Sequence, residues 1–357
     1  MLHRTRPQGP LGAPLGAPPP NTEAELERTL AEPGLEVAEA LARCPGDILV
    51  LGAGGKMGPT VARMARRALD QARRSDRVIA VSRFGARETA HALRTAGVET
   101  IACDLLDRDA VRALPDAPNV IFLAGQKFGT TGAPALTWAL NTLVPAIVAE
   151  RYAAARIVAL STGNVYPLVP ADSAGAREDL PPAPVGEYAA SCLGRERMFE
   201  YWSARAETRV AIVRLNYAVE LRYGVLVDIA RRVQAGEPVD VTMGRVNVIW
   251  QGDACGRILR CLPLASTPPF VLNVTGPEAL SVRALAQGFG SLLGRQPVFT
   301  GAEAADALLS DAGASVALFG PPAVGTGQMV AWIADWLARG GRVLGRPTHF
   351  EEREGRF

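Results

Sequence analysis

The sequence predicts an α/β fold, a doubly wound parallel sheet with a smaller C-terminal substrate lobe, and three observations carry that expectation. Short apolar runs near 47–52, 77–82, 99–102, 119–124, 156–161 and 209–214 alternate with longer segments of helical period, as parallel strands and their crossover helices do. The first run, Asp47-Ile48-Leu49-Val50-Leu51, passes straight into Gly52-Ala53-Gly54-Gly55-Lys56-Met57-Gly58 and then a helical segment. Beyond about residue 220 the alternation loosens into shorter, less regular pieces.

Taken in order, residues 1–20 hold nine Pro or Gly and no apolar stretch, and read as a flexible leader. Residues 21–45 form an N-terminal helical segment. There Thr22-x-x-Glu25 is a capping box that opens a helix with Leu26 and Leu30 on one face, broken by Pro33-Gly34, and a second helix runs over about 35–43. The dinucleotide-binding domain is placed at 46–215. Its first long helix, 57–69, sets Val61, Met64, Ala65 and Leu69 in register, with Pro59 tolerated in the first turn. The lobe at 216–342 is expected to contain helices over 224–234, 252–264, 281–294 (capped by Ser281) and 327–339. An extended piece is placed at 246–250, and the strand at 269–274 could return to the sheet. Residues 343–357 read as an extended tail.

Composition excludes several classes. With 38 basic and 36 acidic residues the net charge is +2, which gives no field for nucleic acid. Apolar runs such as Ile157-Val158-Ala159-Leu160 fall far short of the roughly 20 residues a membrane span needs. The five cysteines form no CxxC pair and the three histidines are far apart in sequence, so no metal site is expected, and reduced thiols point to the cytoplasm. Almost every basic residue is Arg; Lys56 and Lys127 are the two lysines.

Gly52, Gly55 and Gly58 meet the needs of a strand-to-helix turn around a pyrophosphate, with Lys56 and Met57 inside it: a tight turn, close backbone approach, and close packing of helix on strand. An acid at the end of the second strand would hold a ribose 2′-hydroxyl. The chain has Ser82-Arg83 there, which suits a 2′-phosphate, so NADP is expected over NAD, with NAD left open. Asp104 and Leu105, after the third strand, are placed at the adenine, and Asp104 could also cap a helix.

Further motifs follow in order: Phe122-Leu123-Ala124-Gly125, Asn141, Ser161-Thr162-Gly163-Asn164-Val165-Tyr166, Tyr188-Ala189-Ala190-Ser191-Cys192, Asp253, and Asn273-Val274-Thr275-Gly276. Together with the glycine turn they resemble the extended short-chain dehydrogenase/reductase family, the NAD-dependent epimerase/dehydratase group, over about residues 46–340. The resemblance implies a Rossmann-like fold and a nicotinamide cofactor contacted by Ala124, Gly125, Asn141 and Tyr188. It also implies that Thr162 and Tyr188 bind the reacting oxygen, with Tyr188 as acid/base and Tyr166 as its rival. The chain departs from the family at Cys192, where the family's lysine, four residues after the tyrosine, lowers the phenol pKa. Lys127, in a loop similar to the Phe-Ala-Gly-Leu-Lys segment of UDP-galactose 4-epimerases, is the expected substitute.

Asn164, Tyr166, Asn216, Arg222, Asn247 and Trp250 stand at strand ends or loops as candidate substrate contacts. Polar amides with an Arg fit a polyol or sugar acid, while Arg214-Leu215-Asn216-Tyr217 departs from the family pattern for nucleotide sugars. The expected function is therefore an NAD(P)-dependent oxidoreductase or epimerase acting on a sugar-like or sugar-acid hydroxyl or carbonyl. The alternatives are a cofactor-binding regulatory protein with lapsed catalysis, or a lyase or dehydratase using bound cofactor transiently. The partner is a small-molecule substrate, with neither nucleic acid nor membrane. A homodimer is entertained without a residue pattern to fix it.

Overall fold

The structure is a computed structural model and describes residues 18–127, 129 and 132–356. The leader expected over 1–20 lies outside these up to residue 17, as does Phe128 of the lysine loop.

Seven parallel strands form the central sheet: β1 (Ile48–Leu51), β2 (Val78–Ser82), β3 (Glu99–Ala102), β4 (Asn119–Phe122), β5 (Arg156–Thr162), β6 (Arg209–Leu215) and β7 (Phe270–Val274). Their spatial order is β7-β6-β5-β4-β1-β2-β3. All six strands expected before residue 215 are present, and the 269–274 run joins the same sheet as its edge, pairing Phe270 with Ala211 and Val274 with Leu215. The apolar runs are continuous because both faces are covered. In β1, Ile48 and Val50 pack into the core on one face, while Leu49 and Leu51 pack into the core on the other. All four are fully buried, each contributing about 1.5–3 kcal/mol of transfer free energy.

The helices are α1 (Glu23–Leu30), α2 (Leu35–Ala42), α3 (Gly58–Gln71), α4 (Arg87–Thr95), α5 (Arg108–Arg112), α6 (Pro134–Trp138), α7 (Val144–Arg151), α8 (Gly186–Ala206), α9 (Val225–Ala235), α10 (Gln251–Arg260), α11 (Val282–Leu293), α12 (Gly313–Phe319) and α13 (Thr326–Ala338). The capping box opens α1 as expected, with Thr22 Oγ1 accepting from Glu25 N–H at 3.1 Å. A π-helical turn, Ala139–Leu143, links α6 to α7 and turns Asn141 fully inward. The helix expected over 252–264 ends at Arg260, and the piece at 246–250 is two dipeptide strands, Arg245–Val246 and Ile249–Trp250. Leu26, Trp250, Trp332, Phe289 and Phe350 share a second core, formed largely by α9, α11 and α13.

The expected tail, described as far as residue 356, has no helix or strand among its described residues but is bound in place. Phe350 is fully buried, and the Thr348 N–H and hydroxyl both donate to Asp228 Oδ2 at 2.7 Å.

Candidate active site

The sheet order reverses between β1 and β4, and the crevice outside their C-terminal ends is where such sheets bind ligands. Two clefts meet there, of about 410 and 330 Å³. They share Gly52, Gly55, Leu123 and Gly125.

The glycines of the turn have separate causes. Gly52 has φ +84°, and a Cβ there would stand 2.5 Å from Ala124 N in the loop after β4. At Gly58 a Cβ would stand 2.5 Å from Ala53 Cα, so α3 packs on the turn only because the side chain is absent. At Gly55 the one neighbour within 4 Å is Gly52 O at 3.3 Å, which leaves the outer face of the turn open. No side chain caps α3, so its first N–H groups are available to an anion. This cradle fits a pyrophosphate. Gly58→Val is expected to lower stability by about 1–3 kcal/mol through forced separation of helix and turn, read as a shift in the denaturant midpoint.

The larger cleft is lined by Ser82, Arg83, Asp104, Leu105 and Ala124, which groups the expected adenosine contacts on one side of the turn. Asp104 also accepts from Leu106 N–H at 3.0 Å, so it serves a turn as well as facing the cleft. Arg83 is exposed.

The smaller cleft gathers Lys56, Met57, Lys127, Thr162, Asn164 and Tyr188. Thr162 ends β5, where its hydroxyl donates to Asn164 Oδ1 at 2.9 Å and accepts from Asn164 N–H at 3.2 Å. Tyr188, in the first turn of α8, lines the cleft beside Thr162, with Cys192 one turn further along the helix. Both cleft hydroxyl residues are 8% exposed. Burial holds the Tyr188 phenol well above its usual pKa of 10.0, and the Cys192 charge would add to the rise while Arg195 opposes it. Burial likewise raises the Cys192 thiol. Lys127 lies 6.0 Å from the centre of the Tyr217 ring, and its amine is pushed down to about 8 by burial. Lys56 Nζ donates to Ala218 O at 3.1 Å, lies 4.4 Å over the Tyr223 ring, and is also lowered to about 8 by burial.

Five of the expected contacts lie elsewhere. Asn141 lines neither cleft: its Oδ1 accepts from Gln126 N–H at 2.8 Å and Arg195 Nη2 at 2.9 Å, so it braces the loop after β4 from behind. Tyr166 is a core residue, its hydroxyl donating to Asn273 Oδ1 at 2.9 Å and accepting from Arg214 Nη1 at 2.7 Å. Trp250 packs edge-on against Trp332 with ring centres 5.4 Å apart. Asn247 Nδ2 donates to Ser310 O at 3.0 Å. Arg222 is held by Glu27 at 2.7 Å, Glu220 at 3.1 Å and Glu23 at 3.3 Å. Asn141 lies in a helical turn and the other four at strand ends or loops, as expected, but the polar groups of Asn141, Tyr166, Asn247 and Arg222 are already engaged within the fold, and Trp250 is a core ring. Asn216 does line the smaller cleft, its Nδ2 donating to Asn247 Oδ1 at 3.0 Å. The sequence reading missed Arg195, Tyr217, Tyr223, Arg346 and Thr348 in the cleft lining. Arg195 alone had a legible signal, since it lies seven residues after Tyr188 on one helical face.

Among the described residues no group of three or more His, Cys, Asp or Glu side chains could hold a metal ion, and no helix is long and apolar enough to cross a membrane.

The sequence model of the NAD dependent epimerase/dehydratase family matches residues 48–245. Among solved structures the chain is similar to a UDP-glucuronic acid 4-epimerase from Bacillus cereus in complex with UDP-glucuronic acid and NAD. The identity is 17%, over 82% of this chain and 99% of that one, with a TM-score of 0.68. It is also similar to MoeE5 in complex with UDP-glucose and NAD, at 23% identity over 83% and 99% of the two chains, with a TM-score of 0.66. A third is a UDP-glucose 4-epimerase from Thermotoga maritima with UDP-glucose, at 17% identity, 82% and 99% coverage and a TM-score of 0.66. No curated protein matches the chain.

Proposed function

Because the chain belongs to the NAD dependent epimerase/dehydratase family, we propose that it is an NAD(P)-dependent oxidoreductase or epimerase acting on a hydroxyl or carbonyl of a sugar or sugar acid. One observation carries the reading: Thr162 and Tyr188 line the same cleft, which shares its glycine turn with a second cleft that holds the expected adenosine contacts.

Gly52, Gly55, Gly58 and the α3 N-terminus would hold the pyrophosphate, with Ser82, Arg83, Asp104 and Leu105 toward the adenosine and Gly125, Lys127 and Tyr188 toward the nicotinamide end. The nicotinamide, when bound, supplies the donor or acceptor of hydride. Tyr188 gives its phenolic proton to a developing alkoxide, or accepts one from an alcohol, while Thr162 places a second hydrogen bond on the same oxygen. Asn164 holds the Thr162 hydroxyl in position. Lys127 sits on the same cleft wall, where it would take over the family lysine's contact with the nicotinamide ribose. Two of the neighbours named above, MoeE5 and the Bacillus cereus enzyme, hold NAD, which gives no support to the preference for NADP read from Ser82-Arg83, so the cofactor is left as NAD(P).

The two lysines of the chain both line this cleft, which favours a substrate carrying an anionic group, a sugar acid before a neutral sugar. Both amines titrate near 8. They are charged below that pH and neutral above it, so affinity for an anionic substrate is expected to fall as pH rises from about 7 to 9. Binding isotherms of an anionic and a neutral analogue compared across that range check it. Equal pH dependence for both would remove the lysines from substrate recognition.

The division into a dinucleotide domain at 46–215 and a substrate lobe at 216–342 belongs to this proposal, as do cytoplasmic residence and a homodimer, the last tested by sedimentation. A screen of sugar acids and nucleotide sugars at saturating NAD(P) tests the function. Absorbance of reduced nicotinamide reports oxidoreduction, and NMR reports redox-neutral epimerisation. Cofactor binding with no turnover across the screen would favour the lapsed-catalysis reading, for which the neutral thiol at Cys192 is the motivating observation.

A further inference from the structure

We propose that Arg195 is a positioning residue that supplies the fixed positive charge missing at Cys192, acting on Tyr188 from farther along the same helix face. The inference rests on the role given to Tyr188 above.

Tyr188, Cys192 and Arg195 stand at i, i+4 and i+7 of α8, so their side chains share one face, and Arg195 lines the smaller cleft together with Tyr188. The guanidinium is 7% exposed. Its Nη1 donates to Leu160 O at 2.6 Å, at the end of β5, and its Nη2 donates to Asn141 Oδ1 at 2.9 Å. Its Nε is buried without a partner among the described residues. Any side chain on Gly125 would collide with Nη2, so the loop after β4 needs glycine there to admit the guanidinium.

Both acceptors are neutral, which leaves the charge uncompensated by these bonds. The neighbouring acid, Glu196, is taken by Arg214 at 2.8 Å. A buried cation held by a carbonyl and an amide is expensive to keep. Such a cation acts on what lies nearby, and Arg195 opposes the rise that burial imposes on both Tyr188 and Cys192.

The other charged or titratable groups on this face are Cys192 on α8, Lys127 on the loop after β4, and behind them the Glu196–Arg214 pair. Cys192 is held neutral by burial, and Lys127 loses its proton near 8, below the range in which Tyr188 would ionise. Arginine keeps its charge throughout. The chain would thus carry a constant charge at i+7 where the family has lysine at i+4.

The test reads the phenol itself. With 3-fluorotyrosine placed at position 188, fluorine NMR follows its ionisation in the whole protein with no need for turnover. Arg195→Met is expected to raise the midpoint by about 1 to 3 units, the range set by loss of one nearby cation, and Arg195→Lys to leave it within a few tenths. A midpoint unchanged in folded Arg195→Met would overturn the proposal, as would equal shifts in the two variants. Should Arg195→Met fail to fold, Arg195→Gln, which keeps an amide donor toward Leu160 O and Asn141 Oδ1 without the charge, is titrated in its place. A raised midpoint supports the proposal, and an unchanged one refutes it. Absence of turnover with every substrate would count against the proposed function and leave this titration readable. Where a substrate is found, Arg195→Met should depress alcohol oxidation more than carbonyl reduction, a split that a purely structural role would not produce.

Discussion

Tyr188→Phe is expected to lower turnover by about 10² to 10⁴-fold, the usual loss when a positioned general acid/base is removed. The substitution keeps the ring and its burial, and takes away the hydroxyl that faces the cleft beside Thr162. Thermal stability should therefore change little. Affinity for NAD(P) should stay within a few-fold, since the glycine turn and the α3 N-terminus provide the phosphate contacts. Stopped-flow single turnovers and calorimetric titration separate these quantities. Thr162→Val should cost less, and the double variant should lose less than the two single losses multiplied, because both groups act on one oxygen. The raised phenol pKa sets the pH dependence: Tyr188 stays protonated through neutral pH, so carbonyl reduction should be flat while alcohol oxidation climbs with pH. Turnover in Tyr188→Phe within a few-fold of the parent would take this residue out of the chemistry.

The architecture was legible because parallel strands buried on both faces leave continuous apolar runs, as the inner strands of the sheet do, while the edge strand β3, Glu99-Thr100-Ile101-Ala102, is more polar and more exposed. The glycine turn was legible for a steric reason, since Gly52 and Gly58 stand where a Cβ would meet backbone. Polar residues at strand ends misled the reading of the substrate site. A sequence shows that Tyr166 or Asn247 follows a strand, but not that Arg214 and Asn273, or Ser310, lie within hydrogen-bond reach across the fold. Arg222 misled in the same way, because its carboxylate partners Glu23 and Glu27 come from an N-terminal helix some two hundred residues earlier. The bound tail was illegible because Phe350, isolated between His349 and Glu351 in the stretch after Pro347, has no periodicity to reveal it. The rarity of lysine was a better guide than any motif, as both lysines line the smaller cleft.

Arg214→Met is expected to lower stability by about 3–5 kcal/mol, as removal of one partner from a buried ion pair does. Arg214 and Glu196 are 4% and 1% exposed, and three N–H···O contacts of 2.8 to 3.3 Å join them. Glu196 also accepts from Ser161 Oγ at 2.5 Å, and Arg214 donates to Tyr166, whose hydroxyl reaches Asn273. The network thus ties α8 to β5, β6 and β7 directly behind the Thr162–Tyr188 pair. Loss of the guanidinium strands a carboxylate in the core, held by one hydroxyl and with no cation bonded to it. Denaturant midpoints measure this deficit, and an equal deficit when Glu196→Leu is added to Arg214→Met would show that lost packing, not the stranded charge, is responsible. Glu196→Leu combined with Arg214→Met should recover much of the stability, because an apolar pair of similar volume leaves no charge unpaired.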